Sequence, residues 1–181
     1  MLTISIKGGK CLNRRTSEII SCKPTTISLE HSLVSISKWE AKWHKPFLSK
    51  TPKTDEEILD YVKCMTITQN VDPNVYMFLG RDNLAAINAY IENSMTATWF
   101  NDKNNKGKRS SEQITSELIY YWMIASEIPF ECQRWHLNRL MTLIRICSIK
   151  NQPAKKYSKR EIMSQNAALN AARLKKLGTS G

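Results

Sequence analysis

Glycine is scarce, with six residues in a chain of 181, and none sits in a G-x-x-x-x-G-K-[ST] pattern. Gly8-Gly9 is followed by Lys10, but no helix start follows it. A backbone cradle for a nucleoside triphosphate or a dinucleotide is therefore excluded. Paired cysteines are also missing. The five are Cys11, Cys22, Cys64, Cys132 and Cys147, an odd number with no C-x-x-C spacing. That excludes a fully paired disulfide framework and a CxxC-type zinc site, and leaves free thiols in a reducing compartment as the expectation. Long apolar runs are absent as well: nothing approaches about 18 consecutive apolar residues. The first ten residues, MLTISIKGGK, lack the apolar centre of a signal peptide. The expected setting is the cytoplasm, with no membrane contact.

What is present is a chain of single-domain size with five Trp and six Tyr, which supply large units for burial. The net charge of +11 is unevenly spread. Residues 148–181 hold eight Lys or Arg and one acid, so they contribute +7, and the first 147 residues contribute +4. A nucleic-acid-binding fold should carry its basic face on the body, so this distribution argues against one.

Periodicity predicts a mainly α fold of the α+β class: a small N-terminal β-hairpin or meander over 1–28, a helical bundle over 29–149, and a basic linker with a C-terminal helix over 150–181. Leu2–Ile6 alternates and is rich in β-branched residues, with Gly8-Gly9 as a turn. Glu18–Cys22 and Thr25–Ile27 read as further extended pieces, with the NRRTS stretch as a loop. Ser28 is the expected N-cap of the first helix, with Leu29, Leu33, Ile36 and Trp43 on one stripe, interrupted by Glu40. Pro46 should end it near His44. Thr54-x-x-Glu57 is a capping box for a helix that buries Ile58, Tyr61, Val62 and Met65. Asp72-Pro73 starts a short helix closed by Gly80, and a further helix is expected near 83–94. Met95–Phe100 breaks helical spacing, and NDKNNKGKR reads as a polar loop.

Ser110-x-x-Gln113 is a second capping box, ahead of a stripe of Ile114, Leu118, Tyr121, Trp122 and Ala125. Pro129 should open a long helix bearing Phe130, Leu137, Leu140, Met141, Ile144 and Cys147. These two helices are expected to pair as the antiparallel centre of the fold. Asn151–Tyr157 reads as a linker, and Ser158-x-x-Glu161 caps a last helix with a thin apolar face of Ile162, Met163, Ala167, Leu169 and Leu174.

Residues that could carry chemistry are few. Cys132 and His136 are spaced for one helix face, but a zinc site needs two more ligands and no other Cys or His supplies a paired spacing. His31, His44 and His136 have no local nucleophile partner. No catalytic residue, metal ligand or cofactor site is expected, and the chain reads as a non-enzyme.

The aromatic–basic cluster around Trp39 and Trp43 admits two readings. Its indoles lie one helical turn apart and could stack on bases or present a protein-binding ridge. The favoured reading is that one or both indoles are packed, with lysine stems over them. Arg139 is placed to stack on Trp135. The tail residues Lys155, Lys156, Lys159, Arg160, Arg173, Lys175 and Lys176 are the clearest interaction candidates. Together with Trp39 and Trp43 they form the expected partner-binding set.

Three stretches also carry a family likeness. They are TTISLEHSLVSISKWEAKWHKPFL (Thr25–Leu48), ELIYYWMIASEIPFECQRWHLNRLMTLIRICSIKN (Glu117–Asn151) and SKREIMSQNAALNAAR (Ser158–Arg173), with DEEILDYVKCMTIT and MTATWF between them. In combination they resemble the tail assembly chaperones of tailed bacteriophages. The resemblance implies a non-enzymatic protein of the infected host's cytoplasm, absent from the mature virion. It implies the long helical tape-measure protein as partner, and the tail-tube protein and self-association as further contacts. It carries over no catalytic residue, cofactor or residue-level binding motif. The competing classes are a virion structural part, such as a tail connector or baseplate component, and a basic nucleic-acid-binding accessory protein.

Overall fold

A computed structural model of the chain describes residues 1–12, 19–100, 113–151 and 159–178. The fold is mainly helical, with a small antiparallel β element at the N-terminus. The chain divides after Ser148 into two compact units.

Four short strands build the β element. β1 (Leu2–Ile6) pairs antiparallel with β4 (Thr25–Leu29), and β2 (Gly9–Leu12) pairs with β3 (Ile19–Cys22). The pairs are nested, so the chain runs out along β1 and β2 and returns along β3 and β4. Gly8-Gly9 is therefore not the turn: Gly9 opens β2, and the NRRTS stretch lies outside the described residues. Gly8 is needed for a different reason. A Cβ there would stand 2.4 Å from the Cys22 carbonyl oxygen and 2.5 Å from the Pro24 nitrogen. Only glycine permits that approach where Pro24, which lacks an N–H, separates β3 from β4.

Alternation decides which face of β1 and β4 is buried. Ile4, Ile6, Ile27 and Leu29 point into the core, while Thr3 and Ser5 face outward. β4 extends past the expected Ile27, and its other edge is tied to the end of the second helix: the Glu30 amide donates to the Met65 carbonyl at 2.9 Å and the Ile67 amide to the Ser28 carbonyl at 2.8 Å. Ile4, Ile6, Cys22 and Ile27 of the β element thus share one core with the helices.

Ser28 is consequently a strand residue, and the helix starts four residues later. α1 (Leu33–Trp43) is capped by Ser32, whose hydroxyl accepts from the Ser35 amide while the Ser35 hydroxyl accepts from the Ser32 amide. His44 closes it in the left-handed conformation, with φ of 52°. α1 buries Leu33, Ser35, Ile36, Trp39 and Glu40 and is the centre of the fold, in contact with both α2 (Asp55–Met65) and α4 (Ser116–Ala125). The expected central pairing of the two later helices gives way to this arrangement. The physical reason is burial: α1 contributes Leu33, Ile36 and Trp39, all essentially inaccessible, whereas α4 spends only one narrow side on the core.

The Thr54 capping box forms as expected, and α2 buries Tyr61, Val62 and Met65 but leaves Ile58 at 41% exposure. Asp72 caps a 3-10 helix, Pro73–Phe78, which Leu79 ends; Gly80 is instead the N-cap of α3 (Arg81–Glu92). α3 packs against β1. Met95–Phe100 is irregular, and the polar loop and Ser110 lie outside the described residues. Thr115 caps α4 in place of the expected Ser110. Its buried side chains are Ser116, Ile119 and Met123, so the stripe through Ile114, Leu118, Tyr121, Trp122 and Ala125 does not define the core face. Pro129 opens only a 3-10 turn, Phe130–Arg134, and α5 (Leu137–Lys150) starts after it. α5 buries Leu137, Leu140 and Ile144, while Phe130 stays exposed.

The second unit contains α6 (Lys159–Leu177). Its described side chains are exposed, including Ile162, Met163, Leu169 and Leu174. At 100° per residue these four fall within an arc of about 140°, a broad and thinly populated apolar side. No helix among the described residues is long and apolar enough to cross a membrane.

Candidate functional site

The tryptophan–lysine cluster on α1 is occupied by α2. Trp39 is 1% exposed, and its Nε1–H donates to the Glu57 carbonyl at 2.9 Å. Trp43, half-buried, donates from Nε1 to Asp60 Oδ2 at 3.0 Å. The two indoles stack with centroids 6.2 Å apart. Lys42 pairs with Asp60, and Lys45 pairs with Glu57 at 2.6 Å. Burial opposes ionisation of Asp60, but hydrogen bonds from Lys42 and Trp43 and the nearby Lys42 charge hold its carboxyl below the usual range. Glu57 is likewise held low, first by the Lys45 hydrogen bond and then by the Thr54 amide. The expected aromatic ridge is therefore a helix–helix clamp, and Trp39 offers no face to bases or to a partner.

This clamp orients α2 so that its far side borders a groove. α2, the 3-10 helix and α3 enclose a cleft of about 440 Å³, lined by Phe47, Ile58, Leu59, Tyr61, Val62, Tyr76, Leu79, Leu84, Ile87 and Ile91. Lys53, Asp55 and Asn88 are its polar lining. That size lies in the range of binding clefts. Tyr61, Val62, Tyr76 and Ile87 are its buried floor, while Leu59, Leu79, Leu84 and Ile91 are half-buried and Ile58 is exposed. Lys53 lies 4.6 Å from the Phe47 ring centroid and 5.8 Å from that of Trp39. Burial depresses its ammonium pKa, with Glu57 opposing. Sequence periodicity named Ile58 and Tyr61 as part of an apolar helix face and placed a further helix near 83–94, but nothing in it said that the two helices would leave a gap between them.

Behind the groove floor lies a buried polar chain. The Tyr61 hydroxyl meets His31 Nδ1 at 2.5 Å, and the His31 and His136 rings lie edge to face at 5.1 Å. His136 Nε2 reaches the Tyr90 carbonyl at 3.0 Å, and its Nδ1 accepts from the Asn138 amide at 3.3 Å. With both nitrogens committed, this tautomer has Nε2 as the donor. The Tyr90 hydroxyl donates to Glu30 at 2.7 Å, and Glu30 pairs with the N-terminal ammonium at 2.9 Å. Burial, then the proximity of the His136 ring, lowers the His31 pKa to about 4, with Glu30 opposing. Burial likewise pushes the Tyr61 and Tyr90 hydroxyls well above their ordinary value. His31, Tyr61 and His136 are hydrogen-bonded in the interior, so they read as internal bracing for the groove floor.

Cys132 is buried in the 3-10 turn, so it does not share a helix face with His136. Among the described residues no group of three His, Cys, Asp or Glu is placed to hold a metal. Arg139 does stack on Trp135, at 4.2 Å from the ring centroid. Lys155 and Lys156 lie outside the described residues. Lys159, Arg160, Arg173, Lys175 and Lys176 are exposed on α6 and point around its circumference, so they form no single basic face.

No family model, curated protein or solved structure matches this chain. The groove and the resemblance of the sequence segments are thus what a functional reading rests on.

Proposed function

We propose that this protein is a non-enzymatic tail assembly chaperone of a tailed bacteriophage, and that it binds the tape-measure protein during tail assembly. The observation that carries the reading is the groove between α2 and α3. It is open, largely apolar, and flanked by two helices, which is the form that receives the apolar face of an amphipathic helix. A long tape-measure helix exposes such faces repeatedly before the tube polymerises around it. Holding them in a cleft would keep it soluble and release it without a covalent step. The protein acts in the host cytoplasm and leaves before the virion matures.

Co-expression with the cognate tape-measure protein tests this. The full chain should capture it and keep it soluble, and Ile58→Arg combined with Leu84→Lys should abolish capture while leaving the circular dichroism spectrum unchanged. Failure of the wild-type chain to capture would overturn the reading. Recovery of this protein from purified particles by mass spectrometry would instead favour a structural part of the tail.

A further inference from the structure

A different surface carries a second inference. From Ser110 to Gln133 the sequence holds four acids and no Lys or Arg, in a chain whose net charge is +11. α4 lies inside this stretch. It buries Ile119 and Met123 against the core, yet its opposite side is also apolar. Tyr121 is 63% exposed and Ile124 61% exposed, and Phe130 just beyond the helix is 53% exposed. The patch is continuous: the Phe130 ring lies 6.4 Å from that of Tyr120, one turn before Ile124. Tyr120 is itself held by Gln133, which accepts its hydroxyl proton at 2.9 Å.

Charge surrounds this patch asymmetrically. Glu117 shares a helix face with Tyr121 and Ile124, at i, i+4 and i+7. Glu127 follows the helix end and Glu131 follows Phe130. All three are exposed, and none makes an ion pair among the described residues. By contrast, Lys42 and Lys45 of the body each pair with a carboxylate. A helix that is apolar on both sides normally has a neighbour on both sides. An apolar patch bordered by carboxylates selects a partner that brings cations.

We propose that the outer face of α4 is a docking surface for a helical protein segment that presents apolar side chains flanked by lysine or arginine. Tyr121, Ile124 and Phe130 receive the apolar side chains, and Glu117, Glu127 and Glu131 meet the cations. The surface also excludes nucleic acid, because phosphates would face the carboxylates. This site is separate from the α2–α3 groove and does not depend on tape-measure capture.

The test uses the full chain and two synthetic helices of about 20 residues, long enough to hold helical structure. Both carry leucines at i, i+3, i+4 and i+7; one has lysines on its flanks and the other glutamates. Fluorescence anisotropy at low salt should show the lysine peptide binding about tenfold or more tightly than the glutamate peptide, with the difference shrinking as salt rises. Glu127→Lys with Glu131→Lys should reverse that preference. Tyr121→Ser with Ile124→Ser, both at exposed positions, should abolish binding of either peptide with an unchanged unfolding midpoint. Equal affinity of the two peptides for the wild-type chain, no binding of either, or full binding by the Tyr121→Ser, Ile124→Ser variant would overturn the proposal.

Discussion

His31 shows how a single buried group ties stability to solution conditions. Its ring nitrogen is bonded to Tyr61, its neighbour is His136, and its pKa falls from 6.5 to about 4. The depressed value means that the fold prefers the neutral ring. Above about pH 6.5 neither the folded nor the unfolded chain protonates it, and the stabilisation is complete. As pH falls from 6.5 through 4, the unfolded chain takes up a proton that the folded chain resists, so stability is lost. The full loss from this group is roughly 3 kcal/mol at about 1.4 kcal/mol per pKa unit. Urea unfolding of wild type and His31→Asn at pH 7 and pH 4.5 should show a clearly smaller loss in the variant. An equal loss in both would assign the acid sensitivity to the carboxylates. None of this was legible in the sequence, where His31, His44 and His136 look alike. What separates them is burial: His31 and His136 converge from either side of α1's start, and His44 stays in solvent.

Among the elements, starts and stops were the most readable features. The Thr54–Glu57 box, the Asp72-Pro73 start and the end of α1 before Pro46 all depend on local chemistry between near neighbours. Readings failed where a local signal competed with strand pairing or with an equally good signal nearby. Ser28 is a credible cap, but β1 recruits it into a ladder, and Ser32 with Ser35 takes over. Thr115 displaces Ser110 because the buried Glu40 carboxylate accepts from the Ser116 amide at 2.7 Å, which anchors the true first turn of α4 to α1. The same carboxylate accepts from the Phe47 amide at 2.7 Å, so the acid that interrupts α1's apolar stripe is a bracket between three segments. The end of α1 also supports a design. His44 adopts a φ of 52°, which disfavours any residue with a Cβ, and its side chain is exposed. His44→Gly should raise stability by about 0.5–1 kcal/mol in denaturant unfolding. A loss instead would mean that the imidazole makes a stabilising contact.

At the scale of the whole molecule, the division after Ser148 separates a nearly charge-balanced body from a strongly basic segment. The body buries its apolar residues around α1, and α6 leaves its own in solvent. A lone helix of that length is marginal without packing. Truncation after Asn151 should therefore move the thermal unfolding midpoint of the body by no more than about 2 °C, read by near-ultraviolet circular dichroism. A drop well beyond that would show that the C-terminal helix contributes to the core.

Composition and period by themselves determined the fold class, the Thr54 and Asp72 caps and the concentration of positive charge beyond residue 148, because each of these depends on residues near one another in the chain. Tertiary structure decided the rest. It turned Trp39 from a surface candidate into the hub of the α1–α2 clamp, since its indole N–H finds the Glu57 carbonyl only when the two helices meet. It opened the groove, because a gap between α2 and α3 is a property of their spacing and not of either helix. It also left Tyr121 and Ile124 in solvent, because a helix that is apolar all round carries no signal for which side will face the core.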